Sequence, residues 1–100
     1  MKSNLLGLIK KQLEFVNEEL DYDHLKTIDE NTDIFGGEYG VDSLSLVKIV
    51  VGLEQDIQKE FGRKVLLSDE KAMSMKNSPY RTVKSLLDFT AERLEASRVA

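Results

Sequence analysis

The chemistry open to this chain narrows once its reactive side chains are counted. Its 100 residues contain no cysteine and one histidine, His24. Thiolate nucleophiles, thiolate metal sites and the usual Ser-His or Cys-His pairs therefore have almost nothing to build on. Asp and Glu are scattered along polar stretches, and no paired-carboxylate site stands out among them.

One hydroxyl draws attention by its position. Ser43 lies in "GEYGVDSLSLVKIVVGL", residues 37–53, where a glycine-bearing loop gives way to a strongly apolar helical pattern. Three roles compete for it. Ser43 or Asp42 could cap the helix, a role that costs about 1 kcal/mol to lose. Catalysis is the weakest of the three, because a nucleophile elbow requires the glycines of G-x-S-x-G, and Ser43 sits in "VDSLS" with no histidine in the region. The third role is a hydroxyl presented for modification. A helix N-terminus offers unpaired N–H groups and a partial positive charge to an anion attached there, so a phosphodiester on Ser43 would be well placed. Gly36-Gly37 lacks the G-K-[ST] ending of a phosphate-cradling loop, which argues against a nucleotide site.

The elements that must hold Ser43 in place read as all-α. Leu5, Leu6, Ile9, Leu13, Val16 and later Leu20 share one helical face, which predicts a helix from Asn4 to about Val16 with Ser3 or Asn4 as its cap. Between Asn17 and Asp42 no period is sustained. "DENTDIFGGEYGVD" reads as a long irregular connection, fastened to the core by Leu25, Ile28, Ile34, Phe35 and Tyr39, with a short helical turn around Tyr22 to Lys26. His24 is expected on an exposed part of it. A connection of that length in a small domain usually has a function.

Ser43 to about Phe61 is the longest periodic segment, and Gly62 is a suitable residue to end it. "RKVLL" follows as an extended connection, then "SDEKAMSM" as a short helix capped by Ser68. The last helix is predicted from about Arg81 to Leu94, just after Pro79, with Val83, Leu86, Leu87, Thr90 and Leu94 buried and the terminal "EASRVA" fraying. No repeat or useful strand alternation is visible. The expected architecture is a single domain, residues 1–100, of three longer helices and one short one around one core.

A helical wheel divides the helix that begins at Ser43 into two apolar surfaces. With Ser43 at zero, Leu46, Ile49, Val50, Leu53 and Ile57 fall between roughly 240° and 340°, an ordinary core stripe. Leu44, Val47 and Val51 fall at roughly 100°, 40° and 80°, beside the serine and outside that stripe. This second group is predicted to meet a partner.

Composition bounds the rest. A hydrophobic share of 41% and a charged share of 32% are those of a folded globular chain. The formal net charge of −4 argues against a general nucleic-acid binder and fits a basic protein partner better. The apolar part of "SNLLGLIKKQL" is too short for a signal peptide or a membrane span, so the cytoplasm is the expected location.

With these residues in view, "FGGEYGVDSLSLVKIVVGLE", Phe35 to Glu54, resembles the loop and second helix of acyl carrier proteins, with their Asp-Ser-Leu signature at Asp42, Ser43 and Leu44. "RTVKSLLDF" resembles the start of that family's last helix, and the order of elements matches along the whole chain. The resemblance implies a four-helix bundle that is not itself an enzyme. It implies that a phosphopantetheinyl transferase attaches 4′-phosphopantetheine from coenzyme A to Ser43, and that the terminal thiol of that group carries an acyl thioester to acyl-activating or acyl-transferring enzymes of fatty-acid, lipid or polyketide-type biosynthesis. The cofactor would then supply the thiol that the chain lacks.

Family positions that meet partner enzymes fall on Asp42, Leu44, Val47, Lys48 and Val51. A sheltered acyl chain would lie among Leu46, Val50 and Met73. The chain is expected to be monomeric, without a metal, a nucleic-acid partner or a membrane span. Many family members carry acids where this chain has Ser45 and Lys48, and a lysine there weakens steering toward basic partners. The second helix and the connection "LLSDEKAMSMKNSPY" also look longer than in a compact member, which points to a specialised carrier. The alternative is a helical interaction module with no prosthetic group, docking a partner through Leu44, Val47 and Val51.

Overall fold

Aliphatic residues at helical spacing, with little to interrupt them, produce three helices among the described residues. They are α1 (Lys2–Leu20), α2 (Ser43–Phe61) and α3 (Val83–Ala96). The computed structural model describes residues 2–20, 25, 27–35, 40–67 and 79–96.

α1 is longer than its apolar stripe alone implies. It begins at Lys2, so Ser3 and Asn4 lie inside its first turn instead of capping it, and it continues past Val16 to Leu20. "KKQLEFVNEEL" contains no glycine or proline, and its Glu, Lys, Gln and Leu residues favour helix, so nothing stops the chain earlier. α2 matches the expected bounds. Gly62 ends it at φ 67, a left-handed conformation that glycine adopts without a Cβ penalty, and its N–H donates to the Gln58 carbonyl at 2.9 Å.

α3 starts at Val83, two residues later than the predicted Arg81. Thr82 and Ser85 explain the shift by capping each other. The Ser85 N–H donates to Thr82 Oγ1 at 3.1 Å and the Thr82 N–H donates to Ser85 Oγ at 3.0 Å, a capping box closed by serine in place of Glu or Gln. The helix also runs on through Glu95 to Ala96, where fraying was predicted.

α1 packs against both α2 and α3. It contributes Leu5, Ile9, Leu13 and Val16 to the core, α2 contributes Leu46, Ile49, Val50, Leu53 and Ile57, and α3 contributes Val83, Leu86, Leu87, Ala91 and Leu94. Truncating any one of these fully buried leucines or isoleucines to alanine would cost about 2–5 kcal/mol. Thr90 shares this burial, and its hydroxyl has no hydrogen-bond partner among the described residues.

The segment before α2 is fastened as the apolar pins predicted. Leu25 and Ile34 are buried, and Ile28 and Phe35 pack partly buried against the core. Backbone hydrogen bonds complete the attachment. Ile34 N–H donates to the Arg81 carbonyl at 2.7 Å, Val83 N–H to Thr32 at 3.0 Å and Lys84 N–H to Glu30 at 2.9 Å, which ties residues 30–34 to the start of α3. Val41 N–H donates to Ile34 at 2.7 Å and brings the chain back to the start of α2.

Beyond α2, Val65 and Leu67 are buried while Lys64 and Leu66 are exposed, the alternation of an extended segment. Leu67 is held from both sides. Its N–H donates to the Glu54 carboxylate, and its carbonyl accepts the Tyr80 hydroxyl. Tyr39, His24, most of the predicted turn around Tyr22 to Lys26, and the predicted short helix with its cap Ser68 lie outside the described residues.

Candidate functional site

Asp42 sets the start of α2. Its backbone is extended, at φ −74 and ψ 169, and its carboxylate accepts the Ser45 N–H at 2.7 Å. Of the two candidate caps, the aspartate fills the role and Ser43 is the first residue of the helix. The Ser45 N–H, and next the Ser45 hydroxyl, hold the Asp42 carboxyl below the ordinary carboxylate range. Slight desolvation opposes this, and the Lys48 ammonium adds to it. The helix's own ladder begins with the Leu46 N–H on the Asp42 carbonyl at 3.0 Å. The Ser43 and Leu44 N–H groups come ahead of that ladder, where a helix start meets an outside anion.

The two apolar surfaces of α2 separate as the wheel implies. Leu46 and Val50 are buried with Ile49, Leu53 and Ile57. Leu44, Val47 and Val51 stay on the outside, with 68%, 45% and 39% of their surface exposed. A fully buried leucine gains about 1.5–3 kcal/mol over an exposed one, so three exposed apolar residues in one strip forgo a stabilisation that burial would supply. Of the residues singled out from the sequence, Asp42, Leu44, Val47, Lys48 and Val51 are exposed at and beyond the start of α2. Leu46 and Val50 point into the core, and Met73 lies outside the described residues.

Two electrostatic features differ from expectation. Ser45, at whose position many carriers of the resembled family have an acid, is buried and tied to Asp42, so it lies apart from the exposed Leu44, Val47 and Lys48. Lys48 is exposed, but its Nζ lies 3.9 Å from Glu19 Oε2 of α1, so an acid stands beside the reversed charge after all. Glu19 was missed from the sequence because helical periodicity within α1 does not say which residue of another helix it will face. Among the described residues, no group of His, Asp and Glu is arranged to hold a metal ion, and no helix is long and apolar enough to cross a membrane.

Ser43 is the first residue of a 19-residue helix capped by Asp42, along which Leu44, Val47 and Val51 are exposed. A protein-family model described as a phosphopantetheine attachment site matches residues 4–73. No curated protein and no solved structure gave a match to the chain.

Proposed function

The chain belongs to the phosphopantetheine attachment-site family, whose members hold 4′-phosphopantetheine covalently, and from this premise we propose that Ser43 is the residue that carries it. The observation that supports this most is the division of labour at the start of α2. Asp42 takes the cap, and Ser43 occupies the first helical position beside the exposed strip of Leu44, Val47 and Val51.

Loading would balance as follows. The Ser43 hydroxyl oxygen forms a bond to the pantetheine-side phosphorus of coenzyme A and the pyrophosphate P–O bond breaks. Adenosine 3′,5′-bisphosphate leaves with the electron pair, and the hydroxyl proton passes to the transferase. The chain contributes position: the Asp42 cap holds the first turn in place, and the N–H groups of that turn favour the negative charge of the ester. When attached, the group supplies a terminal thiol that holds an acyl chain as a thioester.

The protein is then a carrier that catalyses nothing itself and delivers an acyl group between enzymes of fatty-acid, lipid or polyketide-type synthesis. Asp42, Leu44, Val47, Lys48 and Val51 meet those enzymes. Leu46, Val50 and Met73 shelter the acyl chain. Incubation with coenzyme A and a broad-specificity phosphopantetheinyl transferase, followed by intact mass measurement, tests the reading. The expected result is a gain of one phosphopantetheine. No gain, where a control carrier is modified in parallel, would overturn it.

A further inference from the structure

Acids of α1 stand beside the exposed side of α2, as Glu19 does beside Lys48. We propose that the docking face for the coenzyme A-using transferase that loads Ser43 spans both helices, with Phe15 as its second apolar anchor beside Leu44, Val47 and Val51, and with Glu14, Glu18 and Glu19 as its acidic rim. This rests on the reading of Ser43 as the attachment residue.

Three side-chain ties set the register of the two helices. Lys48 Nζ lies 3.9 Å from Glu19 Oε2, Gln12 Nε2 donates to Asp56 Oδ2 at 2.6 Å, and Lys11 Nζ lies 3.8 Å from Asp56 Oδ1. Residue 19 thus sits by residue 48 and residues 11 and 12 by residue 56, so the helices run antiparallel. Phe15 stands four residues from both Lys11 and Glu19, on their stripe of α1. Val51 stands three residues from Lys48, on the matching edge of α2. Both apolar residues therefore fall between the same two sets of ties, on either side of a seam where Gly52 contributes no side chain.

Phe15 is 54% exposed, and its ring faces the Lys11 ammonium at 5.9 Å. An aromatic left this exposed beside a second apolar strip is the kind of residue that anchors interfaces. Lys11 and Lys48, the cations beside the seam, each lie against an acid, whereas Glu14 and Glu18 are exposed on the same side of α1. The face is negative overall. Its occupant must bind the phosphates of coenzyme A, which requires cationic groups around its mouth, and those groups complement an acidic face. Reach is not a difficulty. Val51 lies eight residues beyond Ser43, about 12 Å along the helix axis, and a standard footprint of about 800 Å² per partner extends well past that.

The test is the kinetics of loading the full chain with a broad-specificity phosphopantetheinyl transferase and coenzyme A. Phe15→Ala, and separately Glu14→Lys with Glu18→Lys, should each raise KM for the chain about fivefold to tenfold with kcat held, as loss of uniform binding does. Lys48→Glu should lower KM. Glu92→Lys with Glu95→Lys on α3, which changes the net charge equally, should leave KM within about twofold, since exposed charges act locally at ordinary salt. Circular dichroism checks that each variant folds. A KM within about twofold of the unsubstituted chain for Phe15→Ala or for the α1 charge variant, or an equal rise in the α3 variant, would overturn the two-helix face. Failure of the unsubstituted chain to gain mass would instead defeat the reading of Ser43.

Discussion

The Asp42 carboxylate accepts the Ser45 N–H at 2.7 Å across the first turn of α2, with Ser43 between them in the chain. Capping falls to Asp42, so it is separate from the attachment proposed for Ser43. That separation lets each be removed without the other.

Ser43→Ala should abolish loading and leave stability within about 0.5 kcal/mol, because the cap belongs to Asp42. Ser45→Ala should keep loading. Intact mass after treatment with coenzyme A and the transferase reads the first property, and denaturant midpoints read the second. Loading that survives Ser43→Ala would move the attachment site to another hydroxyl.

The Asp42 carboxyl is held below the ordinary carboxylate range by the Ser45 N–H first. A group whose folded pKa is depressed stabilises the fold above its unfolded value and loses that contribution as pH falls through the folded one. Asp42→Ala should therefore be less stable than the parent at neutral pH, with the gap closing on acidification below the carboxylate range. Asp42→Asn, which keeps a capping oxygen, should lie between them at neutral pH. Urea midpoints measured across that range give the comparison, and a gap that does not close would remove the charge from the account.

Gly7 and Gly52 are both interior to helices but differ in surroundings. Nothing lies within 4 Å of a Cβ placed on Gly7, whereas one on Gly52 would overlap the Gln12 carboxamide. Gly7→Ala should stabilise by about 0.5–1 kcal/mol from helix propensity alone. Gly52→Ala should return little of this, because Gln12 must leave its hydrogen bond to Asp56. Equal gains in thermal or urea unfolding would show that the α1–α2 approach is looser than its contacts imply.

Thr90 buries a hydroxyl without a partner among the described residues. Thr90→Val keeps the shape and removes the unsatisfied group, so it should stabilise by about 1 kcal/mol. A loss of stability in the urea midpoint would show that the hydroxyl is satisfied.

Much of the site was legible because it depends on one period. The wheel on α2 separated Leu44, Val47 and Val51 from the core stripe, and Asp42 with Ser43 marked the helix start. Relations between elements were not legible. Glu19 beside Lys48 depends on how α1 docks, and so does the burial of Ser45, which falls at about 200° on the wheel, near the Gly52 edge that meets α1. The start of α3 was misplaced because Thr82 and Ser85 form a capping box without the usual Glu or Gln. The longer α1 follows from helix propensity continuing after its apolar stripe has thinned.

Leu67 is gripped by Glu54 on one side and Tyr80, 13 residues later, on the other. The chain between these residues therefore leaves and returns at nearly the same point. The two ends of that stretch are thus fixed to each other and, through Glu54, to α2, so Leu67 and Tyr80 keep their places by contacts of their own. Glu54, although it belongs to α2, thereby serves as the anchor through which that helix holds the approach to α3.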